Sequence, residues 1–174
     1  MMLFLSSCEN DLGEVKKLGS ADKSPMEIQE NLVLEYSDSS FTRLKLTAPR
    51  AETYSQLEKP YRLFPNTINV NFYDVAGNEN SRMRANYAKQ MMNTQIWESK
   101  GNVVVVNKMG EQINTELMYW DQRKGLIYSD AYVKITTPDK IIEGNGFEAN
   151  QDFTDYQIKD IIGTINLKED EKSD

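Results

Sequence analysis

The distribution of hydrophobic and polar residues divides the chain into two parts. Residues 9–26 mix charges, glycine and proline without periodicity, which is typical of a flexible linker. From residue 27 onward, short segments rich in Val, Ile, Thr, Tyr and Phe alternate with turn signals such as VAGNEN at 75–80. This pattern predicts an all-β domain of antiparallel strands over 27–167, followed by a charged disordered tail at 168–174.

The strand-like segments are short and closely spaced. Strands are predicted at 28–36, 42–47, 67–73, 82–88, 95–97, 102–107, 111–120, 126–128, 131–136, 140–143 and 164–167. Their spacing is typical of an antiparallel sandwich or roll.

An internal repeat of about 30 residues sharpens this prediction. The small residues Ala85, Thr115 and Gly144 each open a similar stretch in MRANYAKQM, INTELMYWD and IEGNGFEAN. WESKGNVVVV and IYSDAYVKIT also align with each other, and a looser copy around Ala48 is displaced because residues 54–66 lengthen it. Since one hairpin cannot bury its own apolar face, the copies are expected to stack as an elongated antiparallel β-jellyroll with a shared core.

Alternation along these strands predicts which side chains point inward. The predicted interior is lined by Val103, Val105, Leu117, Ile127, Val133, Ile135 and Phe147. An ordinary packed core and a slot for lipid both fit such a stripe, so alternation alone leaves both interpretations open.

Composition narrows the chemistry. The chain has no histidine and one cysteine, which removes the usual general base and the usual metal ligands, so no catalytic residue, metal or cofactor is predicted. The formal charge is −7 and no basic stripe is present, which argues against nucleic acid as a partner. Residues 144–149 fit the dinucleotide fingerprint G-x-G-x-x-G/A, but without a following helical pattern they are interpreted as a strand bulge.

The single cysteine, Cys8, lies in LFLSSCEN, where Leu5-Ser6-Ser7-Cys8 resembles the lipobox of bacterial lipoproteins. Only five apolar residues and no Lys or Arg precede the serines. Residues 1–8 are therefore predicted to be a truncated signal peptide whose start lies upstream, with Cys8 as the lipidated residue. The linker would then act as a tether with a reach of roughly 20 to 24 Å.

Taken together, the repeats GNVVVVN and INTELMYWDQRKGLIYSDAYVKI, followed by IIEGNGFEAN and IIGTINL, resemble the LptC family of lipopolysaccharide export proteins over roughly residues 24–167. The resemblance implies an OstA/LptA-like jellyroll on the periplasmic face of the inner membrane. Such proteins accept lipopolysaccharide from an inner-membrane ABC transporter and pass it to a soluble LptA-like bridge protein. The acyl chains lie between the two sheets, and neighbouring jellyrolls join edge to edge.

This resemblance assigns an edge of the domain to each partner. The expected edge toward the transporter carries Thr42, Leu44 and Leu46, and the expected edge toward the bridge protein carries Ile161, Ile165 and Leu167. Two alternatives remain open: a structural envelope lipoprotein with a fully packed interior, and a glycan-binding jellyroll that exposes Trp97 and Trp120.

Overall fold

The structure is a computed structural model that describes residues 24–38, 41–151 and 153–167. Cys8, most of the predicted linker and the charged tail lie outside these residues. The described residues form eleven β-strands, which confirms the all-β prediction, and none of them belongs to a helix long and apolar enough to cross a membrane. The strands are β1 (Glu27–Asp38), β2 (Phe41–Tyr54), β3 (Tyr61–Phe64), β4 (Ile68–Tyr73), β5 (Glu79–Ala85), β6 (Tyr87–Met91), β7 (Ile96–Asn107), β8 (Gln112–Asp121), β9 (Leu126–Thr136), β10 (Lys140–Asn150) and β11 (Tyr156–Asn166).

All eleven described strands belong to one antiparallel sheet. Strands β3 and β4 lie end to end beside β2, and β6 and β5 pair with them in the same order. Strand β7 then pairs with both β5 and β6, and from β7 to β11 each strand pairs with the next. Within the part that is described, the sheet is a meander with β1 and β11 at its two edges.

A line of bends crosses the sheet near the middle of its long strands. Asn31, Gly101 and Gly146 have positive φ angles of 53°, 72° and 71°, which glycine and asparagine adopt most readily. The strand pairing shifts register near two of them, between Lys100 and Val103 and between Asn145 and Phe147. Gly101 and Gly146 lie three strands apart, which gives about 15 residues for each strand and its tip. Two strands therefore account for the 30-residue repeat.

The sheet folds over along this line into two layers. Phe72 on β4 packs edge to face on Trp120 on β8, with ring centroids 5.6 Å apart, although β5 and β7 separate their strands within the sheet. Asn107 at the end of β7 likewise donates a hydrogen bond to the backbone oxygen of Phe153, which follows β10. Both contacts require the two halves of the sheet to face each other, as in a jellyroll.

Each layer consists of one half of the long strands. The first layer contains β4, β5 and the residues 32–38, 41–48, 103–107, 112–115, 133–136 and 140–143. The second layer contains β3, β6 and the residues 50–54, 96–100, 118–121, 126–129 and 147–150. The hydrophobic core is formed by side chains from both layers.

The bends explain why several strands are longer than the sequence predicted. Strands β7 and β9 each join two predicted segments, and β10 and β11 extend well beyond the predicted ones. Strand β3 lies inside residues 54–66, which had been interpreted as an insertion. The reason is physical: a strand that passes from one layer to the other needs glycine or polar residues at its bend, and these resemble turn signals.

Gly144 shows what these glycines do. A Cβ atom at this position would collide with the backbone carbonyl oxygen of Asp160 on β11, at a register shift between Glu143 and Gly144. Gly146 has a positive φ and also lies at a register shift. The two glycines of the apparent dinucleotide fingerprint therefore allow β10 to pack closely against β11 at a bulge.

Candidate functional site

The space between the two layers, called the interior below, is lined mostly by apolar side chains. Six of the seven side chains predicted to line it have at most 1% of their surface exposed. These are Val103, Val105, Ile127, Val133, Ile135 and Phe147.

Leu117 is the exception to the predicted lining. It is half-buried, whereas its neighbour Met118 is 2% exposed and lines the interior together with Trp120. The pairing of β8 with β9 shifts register between Thr115 and Tyr119, so the alternation changes phase at the bend. The prediction carried the alternation unchanged through the bend and therefore placed Leu117 on the wrong side.

Four aromatic rings form a continuous ladder through the interior. Phe64 stacks on Trp97 at 5.6 Å, Trp97 stacks on Trp120 at 6.0 Å, and Trp120 meets Phe72 edge to face. Trp120 is 7% exposed, and Trp97 packs against the buried core. The two tryptophans thus lie between the layers, and the glycan-binding alternative, which needs them on an open face, gains no support.

The interior is closed. The void beside the aromatic ladder has a volume of about 20 Å³, which is space for roughly one water molecule. Its lining comes from both layers and includes Leu46, Met83 and Met118. An acyl chain can occupy this space only if the two layers separate or the side chains rearrange.

Small polar side chains form hydrogen bonds to backbone groups at the bends. The Ser129 hydroxyl donates to the carbonyl oxygen of Leu117 at 2.6 Å and accepts from the backbone N–H of Ala131. The Thr115 hydroxyl donates to the carbonyl oxygen of Tyr132 at 2.8 Å. Hydrogen-bonding groups that leave the strand ladder therefore remain paired although they are buried.

The edge strands of the sheet are β11 and β1, and the amino-terminal edge differs from the prediction. Strand β11 pairs only with β10, and Ile161, Ile165 and Leu167 at this end are 50% to 64% exposed. The expected amino-terminal edge is wrong, because Thr42, Leu44 and Leu46 lie on or beside internal pairing positions of β2. Leu44 pairs with β1 on one side and with β4 on the other, and it is 7% exposed. The edge strand is β1.

A charged cluster fastens β1 to β2. The Arg50 guanidinium donates to Glu30 on β1 at 2.6 Å and to Glu52 at 2.7 Å, and the Tyr54 hydroxyl donates to Glu52 at 2.9 Å. The hydrogen bond from Arg50, followed by that from Tyr54, lowers the pKa of Glu52. Burial, together with the bond to Glu52, raises the pKa of Tyr54 to about 12.

Sequence reasoning missed several residues of the interior. Phe64 lies on the overlooked strand β3, and Phe153 lies in the turn after β10. Trp97 and Trp120 were considered only as exposed aromatics. Their inward direction follows from alternation with the outward Glu98 and Tyr119, a signal that was available in the sequence.

Fold and interior together define an antiparallel jellyroll with an apolar space between two layers and two unpaired edges. Residues 9–162 match the family model described as Lipopolysaccharide-assembly, LptC-related. No curated protein matches the chain. Because the family model covers most of the chain, the protein belongs to the LptC family.

Membership of this family sets the general role of the protein. The family takes part in lipopolysaccharide transport and is a periplasmic, inner-membrane-associated component of the cell envelope. It is a transport component and is not known as an enzyme.

Proposed function

We propose that this protein is a membrane-tethered conduit for lipopolysaccharide. It accepts lipopolysaccharide from the inner-membrane ABC transporter and hands it to a soluble, LptA-like periplasmic bridge protein. The observation that carries this proposal is the apolar interior, which is lined by both layers and runs from β2 to β10 between the two edge strands.

The interior suits acyl chains because its lining is apolar and shielded from water. Each buried CH₂ group contributes about 0.8 kcal/mol of transfer free energy. Since the resting void is only about 20 Å³, the layers separate when lipid enters, and the gain from burying the chains offsets the packing contacts that are lost. The domain then alternates between a closed state and a lipid-bound state as lipopolysaccharide passes along the interior.

The edge strands are the proposed docking surfaces. Strand β11 presents unpaired backbone groups and the exposed side chains of Ile161, Ile165 and Leu167 to the bridge protein. At the opposite edge, β1 exposes Ile28 and Val33 and pairs with the transporter. Addition of a strand from a partner continues the sheet, so that one interior leads into the next.

The tether in this proposal is a lipid attached to Cys8. Acylation of this residue and removal of residues 1–7 hold the domain at the periplasmic face of the inner membrane. Two or more acyl chains make such attachment stable, whereas a single chain binds reversibly. Cys8→Ser is expected to abolish incorporation of labelled palmitate and to release the domain from membranes, and unchanged labelling would contradict this anchor.

The conduit is tested by photo-crosslinking in cells from neighbouring positions on one strand. A benzophenone amino acid at Val133, which is fully buried, should capture lipopolysaccharide, whereas the same group at the adjacent Lys134 should not. Phe147 and Glu148 provide a second such pair on β10. Because each pair shares its local backbone, equal capture from inward and outward positions would overturn the proposal.

A structural envelope lipoprotein remains the second candidate, and the closed interior is the observation that favours it. This candidate predicts no capture from any inward position and no lipid in the purified protein. The crosslinking experiment therefore decides between the two functions.

A further inference from the structure

A second cavity opens beside the aromatic ladder. This mouth cavity has a volume of about 290 Å³ and is lined by Tyr36, Arg43, Leu44, Gln95, Trp120, Gln122 and Gln151. Among the described residues that line it, one side chain is cationic and none carries a carboxylate, although the chain as a whole has a formal charge of −7. Such a lining complements an anion that also accepts hydrogen bonds from amides.

A strand irregularity brings the cation into this cavity. Tyr36 pairs with Leu44 and Ser37 pairs with Thr42, so Arg43 is an extra residue in β2. Regular alternation would point Arg43 away from Leu44, but a bulge turns neighbouring side chains toward the same face. Arg43 and Leu44 accordingly line the same cavity, and among the described residues no carboxylate forms an ion pair with Arg43.

Leu44 and Trp120 separate the mouth cavity from the interior. Both side chains line the mouth cavity and also the void of about 20 Å³ behind it. These two residues lie between the polar mouth cavity and the apolar interior, and they are called the gate. Movement of their side chains would join the two cavities.

The indole of Trp120 carries a hydrogen-bond donor that the closed state leaves unused. Its Nε1 atom is buried and has no partner among the described residues, whereas Nε1 of the stacked Trp97 donates to Gln122 Oε1 at 3.1 Å. An unpaired buried donor destabilises the closed state. A ligand oxygen at this depth would remove that destabilisation.

We propose that the mouth cavity is a lateral port through which one acyl chain of an anionic lipid enters the interior. The chain passes between Leu44 and Trp120, the headgroup anion pairs with Arg43, and a lipid oxygen accepts from Trp120 Nε1. This proposal rests on the proposed function, since it names the entry point and the headgroup contact of the same lipid-binding interior.

The test uses the two tryptophans of the chain as the reporter, because Trp120 lies at the gate and Trp97 stacks on it. Their fluorescence is titrated with dodecyl phosphate below its micelle concentration and, for comparison, with the uncharged dodecyl maltoside. Arg43→Gln should weaken binding of dodecyl phosphate about five- to tenfold and leave dodecyl maltoside nearly unchanged. Lys45→Gln is the matched control, because Lys45 lies two residues away and pairs with Glu35.

Trp120→Phe tests the gate itself, because it keeps an aromatic ring and removes the Nε1 donor. Weaker binding of both amphiphiles is expected in Trp120→Phe, followed through Trp97, and unchanged binding of both would overturn the gate. Circular dichroism and thermal unfolding identify any variant that fails to fold. For such a variant, Trp120→Tyr replaces Trp120→Phe.

The outcomes separate this proposal from the conduit function. Equal affinities of the wild type and Arg43→Gln for dodecyl phosphate, combined with lipopolysaccharide capture at Val133, would overturn the port but leave the conduit intact. No fluorescence response to either amphiphile and no capture at Val133 would overturn both. Equal weakening by Arg43→Gln and Lys45→Gln would show a nonspecific charge effect and would also overturn the port.

Discussion

Single side chains in this protein act mainly by fixing where strands bend and how the edge strands are held. The bulge at Arg43 and the phase change before Met118 both arise from one irregular position in an otherwise alternating strand. In each case a side chain changes the face on which it lies, and the lining of a cavity changes with it. The linings of both cavities therefore depend on residues that break the alternation as well as on those that follow it.

Glu52 makes the attachment of β1 dependent on pH. Its pKa is lowered in the folded state, so its stabilising effect is present above the ordinary value of 4.5 and is lost as the pH falls through the lowered value. Glu52→Gln should therefore lower the free energy of unfolding by about 1 kcal/mol at pH 7, with the difference shrinking below pH 4.5. Urea unfolding at several pH values measures this.

Glu35→Gln is the control for this prediction. Glu35 also bridges β1 and β2, through Lys45, but its side chain is 51% exposed compared with 15% for Glu52. A smaller effect is expected, because exposed ion pairs contribute little. If the two variants behaved alike at all pH values, the partly buried cluster around Arg50 would have no special role.

Among the described strands, β11 pairs with β10 alone, and Gly144 allows the two backbones to approach closely at the register shift. Gly144→Ala would place a Cβ atom against the Asp160 carbonyl, and a backbone atom cannot move aside as a flexible side chain can. We expect a loss of about 1 to 3 kcal/mol in the free energy of unfolding and faster hydrogen exchange of β11 amides. Gly163→Ala is the control, since nothing lies within 4 Å of an added Cβ there and the change should be near neutral.

The sequence predicts the strands of this domain in part. Strand type and the antiparallel class followed from alternation and spacing, and six of the seven side chains predicted to point inward are buried. The bends were not recognised, because Gly101 and Gly146 resemble ends of strands when only neighbouring residues are considered. Strand β3 was overlooked for a similar reason: Pro60 and Pro65 flank it on both sides.

The amino-terminal edge and the cavities could not be predicted, because they depend on pairings between distant residues. Nothing local in the sequence around Leu44 shows that β1 covers this strand on one side and β4 covers it on the other. The mouth cavity likewise combines residues from β1, β2 and three tips or ends of strands that the fold brings together. Such a site appears only when the sheet has folded over.

At the scale of the whole domain, Asn107 connects the tips of the two layers. Its side chain is buried, with 6% of the residue exposed. Its Oδ1 atom accepts from the backbone N–H groups of Met109 and Glu111, and its Nδ2 atom donates to Glu111 and across the layers to the Phe153 carbonyl. All of its hydrogen-bonding groups are used. If lipid enters by separating the layers, this amide opposes entry.

Asn107→Ala should therefore destabilise the domain by about 1 to 3 kcal/mol and also favour the open state. Hydrogen exchange should accelerate in the tips at 108–111 and 153–155, and dodecyl phosphate should bind more tightly to the folded variant at a temperature well below its unfolding midpoint. Lower stability together with higher affinity would show that Asn107 holds the layers closed. If Asn107 only supported the fold, both stability and affinity would fall.

Asp74→Ala provides the matched comparison. Asp74 holds the equivalent tip after β4, where its Oδ1 accepts from the backbone N–H groups of Ala76 and Asn78, but no contact from it to the opposite layer is found in the described part of the chain. Loss of this carboxylate should loosen one tip and leave the affinity for dodecyl phosphate unchanged. Equal affinities in Asn107→Ala and Asp74→Ala would mean that the layers separate elsewhere, because removal of the hydrogen bond from Asn107 to Phe153 would then have had no effect on opening.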